Sequence, residues 1–195
     1  MIFISHNHPD HLHPETLEKI SKNVQIITPN FPTGSTVRYL KDIGFKNILE
    51  LNLNQTLINQ KNELSLTVVK SGDFRDDSGI ILQIGMFTIL LTVDSNYIDF
   101  WRFPKRLDLI ASSFAGGASG FPLCFQNYSD REKKSIITRN KNAIKTMNSN
   151  VLGKAQPKYF LPYAGFFEEN SPRDNGIKIK NIKNKISDYS ELCSQ

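Results

Sequence analysis

All four histidines of the chain fall between His6 and His13, with Asp10 among them. The run Ser5-His6-Asn7-His8-Pro9-Asp10-His11 thus gathers three imidazoles and a carboxylate in a short stretch. Neutral imidazole and carboxylate are natural ligands for zinc, iron or manganese. A turn placed directly after a strand can aim several such side chains at one point. Pro9 stiffens that turn, so less entropy is lost when the ligands converge. The bland alternative is a capped turn that displays surface histidines. His13, just past the cluster, is expected to open a helix rather than to bind metal. A further carboxylate, Asp94, follows the apolar run Leu90-Leu91-Thr92-Val93. The end of a strand suits a ligand that faces a sheet edge, although an Asp-Ser pair is also a common way to turn a chain.

These residues need elements to hold them. Residues 2–5 read as the end of a short buried strand that delivers the chain into the cluster. Pro14 fits a first helical turn, and the pattern predicts a helix over 15–23. A β-rich run at 24–28 is closed by Pro29 and Pro32. Ser35 is expected to cap a second helix that runs to Ile43 and stops at Gly44. Residues 48–53, 64–70, 79–84 and 87–93 read as strands, the last two as a hairpin about Gly85. After a strand at 107–111 comes a small-residue loop, Phe114-Ala115-Gly116-Gly117-Ala118-Ser119-Gly120-Phe121-Pro122. It lacks the Gly-Lys-Ser/Thr ending of a P-loop, but its small residues let backbone approach a ligand or a neighbouring segment closely. The longest helix is predicted over 129–151, a last strand over 159–162, and a loose helix or disorder from Asn175. Strands and helices alternate with several antiparallel strands between, which favours α/β or α+β.

Length and composition bound the rest. The chain has 195 residues, 39% of them hydrophobic and 22% charged, enough for one domain with a sizeable core. No apolar run reaches the roughly 18 residues of a membrane span, and none resembles a secretory leader. Two cysteines, Cys124 and Cys193, cannot staple a scaffold, and they point to the cytoplasm. The net charge of +5 collects at 131–154 and 178–185. Such charge would attract an anionic substrate, or simply be a solvated surface. Arg102, Lys105 and Arg106 have no spacing that singles them out for phosphate. No nucleic-acid motif accompanies the charge.

The His cluster resembles the first metal-binding motif of the metallo-β-lactamase superfamily. The resemblance implies that His6 and His8 hold one metal and that Asp10 and His11 hold a second. Asp94 would bridge them, and Asp10 would double as a proton acceptor. His13 has no ligand role in that pattern. The Thr92-Val93-Asp94 block, the loop at 114–122 and Pro162-Tyr163-Ala164-Gly165-Phe166-Phe167 are similar to the C-terminal part of the CMP-N-acetylneuraminate hydroxylase family. With the His cluster, that similarity spans about residues 1–175, with 176–195 a polar tail. It implies an αββα sandwich that lacks the first strands of the full fold, and a CMP-sugar or similar small anionic substrate. Gly116, Gly117 and Ser119 become candidate substrate-binding residues.

The departures matter as much. The hydroxylase family pairs this domain with a Rieske iron–sulfur centre, which needs two Cys and two His. No Cys-x-His pair exists in this sequence, so the cluster would come from a separate Rieske or N-terminal-half protein. No histidine follows His13. Asp73 is the nearest stand-in for the first of the two later metal-binding histidines, and Ala164 takes the place of the other. Three functions compete: a metal-dependent enzyme on a sugar nucleotide with metal-activated water, a hydrolase of lactones or phosphoesters, and a non-catalytic remnant or binding subunit.

Overall fold

The computed structural model describes residues 1–72, 75–95, 103–116, 120–164 and 168–192. The chain divides into two compact units, Met1–Arg102 and Phe103–Gln195.

In the first unit, strands β1 (Ile2–Phe3), β2 (Ile26–Pro29) and β3 (Ile48–Leu51) form a parallel sheet in that order. Helices α1 (Pro14–Glu18) and α2 (Ser35–Asp42) make the two connections, because parallel neighbours cannot be joined by a tight turn. β2 is buried along its whole length, and its successive side chains serve opposite faces. Ile26 joins Ile4, Leu12, Leu17, Leu40 and Phe45 on the helix side. Ile27 joins Leu51, Leu66, Val68 and Ile80 on the other. That second cluster reaches the antiparallel strands β4 (Thr56–Asn59), β5 (Leu64–Lys70), β6 (Ser78–Ile84) and β7 (Phe87–Leu91), each paired with the next. Each fully buried aliphatic side chain contributes about 1.5–3 kcal/mol, so the two clusters hold this unit together.

Some boundaries differ from the sequence reading. α1 stops at Glu18, well short of residue 23. Lys22 folds back to donate its ammonium to the Leu17 carbonyl at 2.8 Å, which satisfies a helix end that the sequence pattern would have continued. The cap of α2 is Gly34, at φ 58°, and Ser35 is the first helical residue. The Ser35 hydroxyl instead accepts a hydrogen bond from the Asn7 amide at 2.8 Å. β4 was not expected, since its short run leaves Ile58 67% exposed and shows no apolar face. The hairpin about Gly85 is present: Ile84 faces Phe87, and Gly85 supplies the positive φ of 55° that the two-residue turn requires.

In the second unit, β8 (Leu109–Ser112) and β9 (Tyr159–Pro162) are parallel and joined through helix α3 (Asp130–Ala155). Ser129 and Glu132 close a reciprocal capping box at the start of α3. Arg106 and Lys158 lie 3.0 and 3.1 Å from the fully buried Asp108, so Arg106 is engaged in structure. Gly116, at φ 68°, holds a left-handed backbone that a side chain would strain, and a Cβ there would also push aside the Ile144 Cδ1 of α3. The segment after residue 174 is ordered where described: α4 (Asn175–Lys180) is followed by a 3-10 turn at Ile186–Leu192. Tyr189 on that turn is buried at 1% exposure and donates to the Phe114 carbonyl at 3.0 Å.

Candidate metal centre

The chain leaves β1 through Ile4, whose N–H still bonds to the Ile27 carbonyl at 2.9 Å, so His6 emerges from a fixed backbone. The Ser78 hydroxyl donates to the Ser5 carbonyl at 3.1 Å and ties this exit to β6. A turn follows, in which the His8 carbonyl accepts from the N–H groups of His11 and Leu12 at 2.9 and 2.7 Å. Leu12 is buried in the helix-side cluster, and this pins the turn that carries His8, Asp10 and His11. His13 is the N-cap of α1: its ring nitrogen accepts from the Thr16 N–H. It serves the helix start, as the sequence predicts, and joins neither donor group described below.

Asp94 arrives from the other side. Gly79 in β6 has no space for a side chain, since a Cβ would sit 2.6 Å from the Leu91 carbonyl oxygen. The end of β7 therefore approaches β6 unusually closely. Val93 then adopts φ 54°, a conformation that a β-branched residue takes only under constraint. The Ser95 N–H bonds to the Thr92 carbonyl at 2.9 Å and closes the turn, which directs Asp94 towards the histidines.

Two groups of donors result. His6, His8 and Asp94 offer ligand atoms within 4.8 Å of one another, and so do Asp10, His11 and Asp94. His6 Nε2 lies 2.8 Å from His8 Nδ1 and 3.7 Å from Asp94 Oδ2. His11 Nε2 lies 3.4 Å from both Asp10 Oδ2 and Asp94 Oδ2. His6 is almost fully buried, whereas Asp10 is 74% exposed. Asp73, Gly117, Ser119 and Arg102 lie outside the described residues.

The electrostatics suit ligation. Burial, reinforced by the neighbouring His11 and His8, lowers the pKa of His6 to about 4, so it is neutral at physiological pH. The hydrogen bond between His11 and Asp94 raises the first and lowers the second. One residue escaped the sequence reading. Asp77, 1% exposed, places Oδ1 3.2 Å from His6 Nδ1, and burial pushes its carboxyl up to about 6. The only available signal was strand register. Ile80 faces Leu91, and continuing that pairing three residues sets Asp77 opposite Asp94.

No model of a known protein family matches the chain. It is 32% identical over 203 residues to a cytidine monophosphate-N-acetylneuraminic acid hydroxylase of Danio rerio, across 98% of this chain and 34% of that protein. The chain therefore spans about a third of that relative's length. CmlA of Streptomyces venezuelae, a diiron β-hydroxylase, superposes with a TM-score of 0.57 at 17% identity, over 91% of this chain and 39% of CmlA. A Parabacteroides distasonis protein described as a metal-dependent hydrolase gives a TM-score of 0.57 at 15% identity, over 93% of this chain and 73% of its own. Among the described residues no helix is long and apolar enough to cross a membrane. With its paired sheets and its His-x-His-x-Asp-His turn, the chain has a metallo-β-lactamase-like fold, and over nearly its whole length it is similar to part of the CMP-N-acetylneuraminic acid hydroxylases.

Proposed function

We propose that this chain holds one or two divalent metal ions at the His6–Asp94 cluster and acts on a CMP-linked sialic acid or a similar anionic sugar nucleotide. The observation that carries the reading is the convergence of His6, His8, Asp10, His11 and Asp94 in two donor groups that share Asp94. The donor set fits a metal. His6, His8 and Asp94 make a two-His, one-carboxylate set, the type used by non-haem iron enzymes, and the carboxylate-richer group suits iron or manganese. A bound ion would act as a Lewis acid and bring the pKa of water from about 15.7 to about 7.

The chain's own residues do the rest. His6 is neutral and ready to donate a lone pair. Asp94 faces both groups and fixes their spacing. Asp10 stands at the exposed rim, where it can accept a proton from water and pass it to solvent. The net charge of +5 favours the approach of a nucleotide anion. We assign substrate contact to Gly116, Gly117 and Ser119, and the electrons for hydroxylation to a Rieske-type iron–sulfur centre carried by a separate Rieske or N-terminal-half protein. Asp73 is assigned to the first donor group in place of a histidine.

Elemental analysis of the purified chain is the test. One or two ions of iron, zinc or manganese per chain are expected, and His8→Ala should lose more metal than His13→Ala. Equal losses, or a chain that neither retains nor takes up metal, would refute the proposal. Calorimetry should further show tighter binding of CMP-N-acetylneuraminate than of the free sugar.

A further inference from the structure

We infer that Asp77 and Arg75 form a positioning pair behind this centre: Asp77 holds His6 in the tautomer whose Nε2 faces the donor group, and Arg75 joins Asp77 to the turn that carries Asp94. The purpose of the pair rests on the metal reading above, but its geometry does not. His6 Nδ1 lies 3.2 Å from Asp77 Oδ1 and 2.9 Å from the Ser5 hydroxyl. A carboxylate oxygen can only accept and the Ser5 hydroxyl is able to, so this pair of neighbours favours the form with the proton on Nδ1, which leaves the Nε2 lone pair for the cluster. Asp77 is itself fixed, because Oδ1 accepts from the Ser78 N–H at 2.7 Å and its carbonyl accepts from the Ser71 N–H at 3.1 Å.

The other carboxylate oxygen argues against a merely structural role. Asp77 Oδ2 is buried and has no hydrogen-bond partner among the described residues. Burying such an oxygen opposes folding, and an apolar side chain would fill the space without that cost. The cation Arg75 helps to offset it, with Nη2 3.9 Å from Oδ2. That same nitrogen donates to the Asp94 carbonyl at 3.1 Å. One guanidinium thus links the support of His6, at the exit of β1, to the strained turn after β7. Outer partners of this kind fix the orientation and basicity of a metal-binding imidazole.

The test has two independent readouts. In the metal-free, 15N-labelled chain near neutral pH, the ring nitrogens of His6 report the tautomer by NMR. The wild type is expected to carry its proton on Nδ1. Asp77→Asn should move the proton towards Nε2 and weaken Co(II) binding about 10- to 100-fold, with the far-UV spectrum unchanged. Arg75→Gln should leave the tautomer alone and weaken Co(II) several-fold. A wild-type His6 protonated on Nε2 would overturn the role of Asp77, and this holds even if Asp77→Asn does not fold. Unchanged tautomer and affinity in a folded Asp77→Asn would do the same, and unchanged affinity in Arg75→Gln would remove Arg75. A chain with the expected tautomer that binds no Co(II) would refute the metal reading and leave the Asp77–His6 arrangement standing.

Discussion

The two donor groups share Asp94 but are built differently. His6, His8 and Asp94 rest on a buried imidazole with a backbone-anchored carboxylate behind it. Asp10, His11 and Asp94 sit at the rim, and Asp10 is mostly in solvent. Preorganisation differs at one residue: the buried His6 ring of the first group is held before any ion arrives, whereas exposed His8 and exposed Asp10 must each still be ordered. Under the metal reading proposed above, the inner group is expected to bind an ion more tightly than the outer one.

Changes at the shared residue should have the largest effect. Asp94→Ala is expected to weaken both groups, with metal affinity falling more than about 100-fold by competition with a chromophoric chelator. Retention of one tight ion would show that the inner group does not need it. The next comparison separates the groups. His8→Ala should abolish the tighter of two binding steps in a calorimetric titration, and Asp10→Ala only the weaker. Equal losses would erase the distinction. The smallest effect concerns the ion-free chain. The pKa of His11 is raised above its ordinary 6.5, so its contribution is present below that pH and fades as pH climbs through the raised value. The pKa of Asp94 is lowered below 3.8, so its contribution persists until pH falls through the lowered value. Between those limits both partners are charged. Both are partly exposed, and screening leaves the pair about 0.5 kcal/mol. His11→Gln should therefore lower stability at pH 6 more than at pH 9, as read by urea denaturation.

Much of this arrangement could be read from residue types. The His turn, the strands at β5 and β9, the Gly85 hairpin and Asp94 at a strand end all have local signals, because apolar alternation and turn residues act over a few positions. Asp77 has none. Its meeting with His6 spans 71 positions of sequence and is set by the pairing of β6 with β7 and the Ser78–Ser5 bond. Tyr189 is similar: a lone aromatic in a polar tail carries no period, yet it is buried against Phe114 and Phe160. Helix α1 was misjudged because a single lysine, Lys22, closes it through a side chain rather than a glycine.

The left-handed Val93 has a consequence for anyone who would make this protein sturdier. A heat-resistance screen would reward glycine or asparagine at that position, since either accepts the backbone shape with less strain. The relaxed variant would also give the neighbouring carboxylate more ways to point. Selection for ruggedness alone would thus erode the proposed metal site first, at a residue that is not itself one of the donors.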